Sequence, residues 1–434
     1  MMGLLLFLVW FGLQFLPGMG LARPDRAEVI AWAVAEFAAL LFLFVFVAVQ
    51  RLKAKKMLAI RTEADKTVFR LLGIWFGACL VSGVLGAAHG NDSGYLVGDL
   101  YRFGSLPVVL GLLYFLAKDT ASTQKILRGM VAVYGFMVLL DLMRFNAFLR
   151  LEQDRLTTET AHQAGMICAA VIYLMLFDQK RWVRRLSVVL LILMTILLVR
   201  AQMLTPLLSS VAAMALYFIF SRKFAVLLGL AVGSVILVLA SFYSVTVMPE
   251  DPEHIANKFL LAQESQGPLE SLEALSGVRL GEIISIGEEF ANHPASLLFG
   301  TGEGTLVSPD PILDPAISTS QLTLDKHFVH SGLPDALYHN GVMAVGAFLF
   351  LLWNLFRRGR RMYAAGNPFG LFVMVTLMVT IVLLSYDLPF ESSFPLLGLC
   401  FAGVSAMEQR ASTHFSSCPQ AHNARRIGPC HELG

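Results

Sequence analysis

Apolar runs of about 14 to 24 residues recur along the chain, separated by short breaks rich in charge, glycine or proline. They lie near residues 3–20, 28–50, 69–88, 101–117, 129–147, 161–177, 187–200, 204–220, 224–247, 337–356, 368–386 and 394–408. Runs of this length cross a hydrocarbon layer as helices, and lone strands there would leave backbone groups unpaired. The pattern therefore predicts an all-α fold, a polytopic transmembrane bundle of about twelve spans. The longest interruption, residues 248–336, falls between the ninth and tenth runs. Within it, "PLESLEALSGVRLGEIISIGEEFANHP" sets Leu280, Ile283, Ile284 and Phe290 at helical spacing, which predicts an amphipathic helix at the interface or over the bundle. "FGTGEGT" follows as a flexible turn. Residues 1–247 thus read as nine spans, 248–336 as one large external loop, 337–408 as three further spans and 409–434 as a tail.

The breaks also carry orientation, because Lys and Arg collect in cytoplasmic loops. "RLKAKKMLAIRTEADKTVFR" holds seven, "DQKRWVRR" four, "SRK" two and "RRGRR" four. Alternation through twelve spans puts all four breaks on one side, which a single miscounted span would prevent. Both termini are then cytoplasmic. The 248–336 loop faces the other way and carries fourteen Asp and Glu against Lys258, Arg279 and Lys326.

Composition agrees with a lipid solvent: 56% of the 434 residues are hydrophobic and 15% charged, against about a quarter charged in soluble domains. A net charge of +2 gives no reason to expect nucleic acid, since the basic residues are spent on topology. The opening "MMGLLLFLVWFGLQFLPGMGLA" has no positively charged leader and reads as a retained span rather than a cleaved signal. Cys79, Cys168 and Cys400 fall in apolar runs and Cys418 and Cys430 in the tail, so no disulfide framework is indicated. The tail also holds His414, His422 and His431, at spacings that match no standard zinc pattern.

The densest histidine cluster sits where the loop re-enters the bilayer, in "DKHFVHSGLPDALYHNGVMAVGAFLFLLW". His330 and Ser331 are followed by nine residues and then Gly341. This resembles the His-(Asn/Ser/Gln)-x9-Gly motif of the O-antigen ligase and O-antigen polymerase superfamily. Within the loop, Arg279 in "SGVRLGEI", His293-Pro294 and "GTGEG" resemble that family's loop arginine, His-Pro and Gly-x-Gly stretch. Arg200 in "ILLVRAQMLTPLL" matches its second arginine, at an external span end. The similarity covers roughly 185 to 360; the N-terminal spans match in hydropathy alone. Ala344 stands where the family often has a second Gly, with Gly346 two positions on, and the usual Ser-Arg-Gly context is missing around Arg200.

The resemblance implies an integral membrane glycosyltransferase of the bacterial inner membrane, working at the periplasmic face. Its donor would be an undecaprenyl-pyrophosphate-linked oligosaccharide and its acceptor a glycan or lipid-linked sugar, with polysaccharide-assembly proteins as partners. The residue types suit that chemistry. Arginine is permanently charged and grips phosphate oxygens bidentately, so Arg200 and Arg279 are the candidates for holding pyrophosphate. Burying Arg200 at a span end costs about 2 to 3 kcal/mol on insertion scales. A histidine, ordinarily titrating near about 6.5, takes a hydroxyl proton at neutral pH, which makes His330 the candidate base. Ser331 and Gly341 support the motif, and His327 and His339 are neighbours that bind sugar or cap structure. Plainer roles compete: an interfacial anchor for Arg200, a surface salt bridge from Arg279 to Glu282, a helix-start hydrogen bond for His330.

No cofactor is expected. The nearest sequences to an Asp-x-Asp cation pair are "EDPE" and "PDPILD", and arginines can meet the charge of a leaving pyrophosphate, so a metal-independent reaction is expected. Polymerisation of O-antigen or exopolysaccharide repeats is the favoured activity, with ligation onto lipid A-core or protein as the alternative. A lipid-glycan flippase or secondary transporter is the rival class; neither needs a base at His330, and the chain shows no internal repeat. Elsewhere, Glu36 inside the second run needs a partner or a watery cavity, and Asp141 and Arg144 can pair on one helix face.

Overall fold

The computed structural model describes residues 2–15, 26–53, 60–144, 159–201, 204–221, 263, 267–268, 270–271, 279–307, 332–386 and 390–416. Among these the fold is all-helical. The order is α1 (Met2–Leu13), α2 (Arg26–Lys53), α3 (Glu63–Ala88), α4 (Ser93–Leu116), α5 (Thr120–Arg144), α6 (Glu159–Phe177), α7 (Arg181–Ala201) and α8 (Leu204–Ser221). Then come α9 (Arg279–Asn292), the single turn α10 (Ser296–Phe299), α11 (Gly332–Ala364), α12 (Pro368–Tyr386), a 3-10 turn (Phe390–Ser393) and α13 (Phe394–Ser416).

Among the described residues, six helices are long and apolar enough to cross a membrane: those holding Val34–Arg51, Glu63–Ala88, Ser93–Leu116, Thr120–Met143, Gly332–Ala364 and Pro368–Ser385. Their outer faces carry bare hydrophobic side chains, among them Phe42 (67% exposed), Val84 (70%) and Phe350 (66%). Apolar surface on that scale belongs against lipid rather than water. The run at 224–247 and most of the 248–336 loop lie outside the described residues.

Helix ends follow polar chemistry more than hydropathy. The Thr62 side chain accepts from the Asp65 amide while Asp65 accepts from the Thr62 amide, so α3 starts ahead of its apolar run. α11 starts at Gly332, five residues before the run at 337, because its polar first turn is buried rather than solvated. Pro107 inside α4 cannot donate to the Phe103 carbonyl; the Trp75 indole N–H on α3 bonds it instead, at 2.8 Å. Glu36 on α2 accepts from the Tyr101 hydroxyl of α4 at 2.6 Å, the partner its position demands. Asp141 is buried, whereas the Arg144 side chain lies outside the described residues.

α11 is the organising helix, packed against α3 and α12, while α4 is held between α2 and α13. Two buried polar clusters mark opposite ends of α3 and α11. At one end Arg358 is fully buried, bonding Asp65 at 2.8 Å and Glu408 at 2.7 Å. One arginine of the "RRGRR" break is therefore a core strut. The other cluster lies 17 residues on along α3 and 19 back along α11, at Ser82 and His339. At 1.5 Å per residue that is about 25 to 28 Å, close to the thickness of a bilayer's hydrocarbon core.

Candidate functional site

The second cluster forms where "GTGEG" packs into the mouth of the bundle. α11 breaks at Gly341, whose φ of 72° and ψ of −178° suit glycine alone. A Cβ there would also stand 2.5 Å from the Leu298 carbonyl and the Gly300 nitrogen. A broken ladder opens carbonyls to outside donors. The Tyr338 carbonyl accepts from the Thr301 amide (2.8 Å) and hydroxyl (3.1 Å), and the His339 carbonyl accepts from Ser82 Oγ of α3. On the far side of the loop, the Glu303 amide donates to the Ser82 carbonyl (3.2 Å) and Asn91 Nδ2 to the Glu303 carbonyl (2.8 Å). α3 approaches so closely at Gly86 that a Cβ would stand 2.1 Å from the Glu303 carbonyl oxygen. "FGTGEGT" is a docked clasp, not a flexible turn.

This docking buries ionisable groups together. Asp99, Glu303, Asp335 and His339 are all 0% exposed. Arg102 of α4 bonds Asp335 Oδ2 at 2.7 Å and lies 3.5 Å from Asp99 Oδ1. Asp99 Oδ2 accepts from the Gly304 amide at 2.8 Å and lies 3.7 Å from His339 Nδ1. The other imidazole nitrogen, Nε2, faces Asp335 Oδ1 at 3.5 Å. Phe103 and Tyr338 wall the imidazole, with ring centroids 6.1 and 5.2 Å away. Burial, reinforced by Asp99, pushes the Glu303 carboxyl well above the usual carboxylate range, with His339 and Arg102 opposing. Asp99, Glu303 and His339 each bring one nitrogen or oxygen within 4.8 Å of the others, the one group among the described residues able to hold a metal ion.

α9 covers this mouth through Ile286, with Phe290 packed on Tyr338 and Val307 nearby. The expected amphipathic helix is present, but Ile283 is 41% exposed and Glu282 is buried. Glu282 thus lies in the interior rather than at the surface.

The residues expected from the sequence divide sharply. Gly341 sits at the break in α11, locked against the clasp. Arg279 is the first residue of α9 and Arg200 the penultimate residue of α7; their side chains lie outside the described residues. So do His330, Ser331, His327, "EDPE" and "PDPILD". His293 is exposed and pairs with Glu289 at 3.0 Å. His339 is a buried partner of carboxylates, not an accessible group.

Sequence reading passed over Ser82, Asp99, Arg102, Glu303 and Asp335. A signal existed: Asp99 and Arg102 are three apart in apolar α4, and Asp335 and His339 four apart in α11, spacings that place pairs on one face. Compared with known proteins, the chain matches no family model and resembles no curated protein.

Proposed function

We propose that the chain is an integral membrane glycosyltransferase that moves a glycan from undecaprenyl pyrophosphate to an acceptor hydroxyl, acting as a polymerase of O-antigen or exopolysaccharide repeats. The supporting observation is convergence: Gly341, the closing glycine of the His-(Asn/Ser/Gln)-x9-Gly pattern, and the separate "GTGEG" segment, both drawn from one family pattern, pack directly on each other. Nothing in hydropathy requires that meeting. In this reading the chain crosses the inner membrane twelve times, with both termini cytoplasmic and the 248–336 loop periplasmic.

His330 takes the acceptor hydroxyl proton as that oxygen bonds the anomeric carbon. The bond from that carbon to the pyrophosphate oxygen breaks, and undecaprenyl pyrophosphate leaves with the electron pair. Arg200 and Arg279 offset the charge gathering on the leaving group, so the reacting centre needs no metal. Liposomes holding the purified protein, an undecaprenyl-pyrophosphate oligosaccharide and an acceptor should yield longer glycan together with free undecaprenyl pyrophosphate. Movement of donor across the bilayer without release of undecaprenyl pyrophosphate would mean a flippase instead.

A further inference from the structure

We infer that Asp99, Glu303 and His339 form a divalent-cation site that fastens the "GTGEG" clasp to α4 and α11. The inference is independent of glycosyl transfer, and the ion is structural rather than catalytic.

Three observations carry it. First, the donors converge from three separate segments to within 4.8 Å of one another, and the Gly302 carbonyl, which accepts from His339 Nδ1 at 3.3 Å, adds a third oxygen beside them. Second, Glu303 is 0% exposed, yet neither Oε1 nor Oε2 has a hydrogen-bond partner among the described residues. A buried carboxylate without donors is costly, and a metal ion satisfies both oxygens at once. Third, the surroundings match those of a metal-bound histidine. An ion taking the place of the Nδ1 proton would leave the remaining proton on Nε2, which faces Asp335 Oδ1 at 3.5 Å, and turn the Nδ1 lone pair toward Asp99 and Glu303. Metal-ligating histidines usually give their second N–H to a carboxylate, and Asp335, 3.5 Å from Nε2, is the carboxylate placed to take it. Arg102 braces both carboxylates that flank the imidazole, Asp335 at 2.7 Å and Asp99 at 3.5 Å.

Charge is consistent with the same assignment. With an ion bound and Glu303 ionised by it, three carboxylates against one guanidinium leave two negative charges, which one divalent ion balances. One imidazole with two carboxylates suits a borderline first-row ion such as zinc or manganese, rather than calcium or magnesium with their all-oxygen shells.

The test uses the full-length protein, purified in detergent from cells grown with added zinc and manganese and then desalted. Elemental analysis should find about one zinc or manganese ion per chain. Glu303→Gln should lose the ion, whereas a His422→Ala, Cys430→Ala double variant, altered in the tail, should keep it. Cobalt exchanged into the unaltered protein should show ligand-field bands of nitrogen and oxygen ligation with no thiolate charge-transfer band, a readout that needs no variant to fold. An ion that survives Glu303→Gln, a thiolate band, or no saturable zinc or manganese binding by the unaltered protein would overturn the site. In the last case the buried charge would be balanced by protons on Glu303 and His339.

Discussion

Replacing Gly341 with alanine should unlock the clasp while leaving the bundle folded. The backbone conformation there, φ 72° and ψ −178°, costs a residue with a side chain about 1 to 3 kcal/mol. The new Cβ would also lie 2.5 Å from the Leu298 carbonyl and the Gly300 nitrogen, backbone atoms that cannot turn aside like a side-chain tip. The clasp must then withdraw, losing the two hydrogen bonds from Thr301 to the Tyr338 carbonyl, each contributing about 1 kcal/mol. The local loss is about 3 to 5 kcal/mol, or about 10²- to 10⁴-fold in the opening equilibrium. Hydrogen exchange read by mass spectrometry should show that acceleration in peptides covering 301–304 and little change in α12. Gly346 is the control, five residues along the same helix, where an added Cβ meets nothing within 4 Å. Gly346→Ala should leave exchange at the clasp unchanged and favour the helix by up to about 1 kcal/mol. Equal, small effects from both substitutions would refute the argument that the break in α11 holds the clasp.

Reporter fusions at Lys55, Arg184 and Arg360 should read cytoplasmic and one near Glu264 external; a cytoplasmic signal at Glu264 would put His330 on the wrong side for its donor. Arg279→Lys should lose most glycan transfer at normal membrane abundance, because an ammonium offers a point charge where a bidentate fork is needed; near-normal product would reduce Arg279 to a structural role. Arg358→Met should destabilise the purified protein by about 3 to 5 kcal/mol, since it strands Asp65 and the partly buried Glu408 without their partner. Thermal unfolding in detergent checks it, and an unchanged midpoint would contradict the buried-strut assignment.

The helices were legible because lipid selects long apolar runs, a signal strong enough to survive without tertiary information. The amphipathic stretch at 279–292 was legible as a helix at its 3.6-residue period. Its buried face was not, since Ile286 is chosen by the position of Tyr338 and Val307, which no local pattern encodes. "GTGEG" read as a flexible turn because glycines permit both mobility and close approach; only contact with Gly86 and Gly341 decides for the latter. Arg358 counted toward topology for the same reason, as charge in a break looks alike whether solvated or paired with Asp65. The buried cluster was the least legible part. Asp99, Glu303 and His339 are separated by about two hundred and by 36 residues, and their meeting is a property of the packed bundle.

The most direct test of the enzyme assignment is the fate of glycan transfer when His330 becomes alanine. Removing a general base usually slows a reaction about 10² to 10⁴-fold. His330→Ala, reconstituted with an undecaprenyl-pyrophosphate oligosaccharide and matched to the unaltered protein in amount and fold, should lose product on that scale. Full-rate elongation by the His330→Ala protein would contradict the assignment of the base.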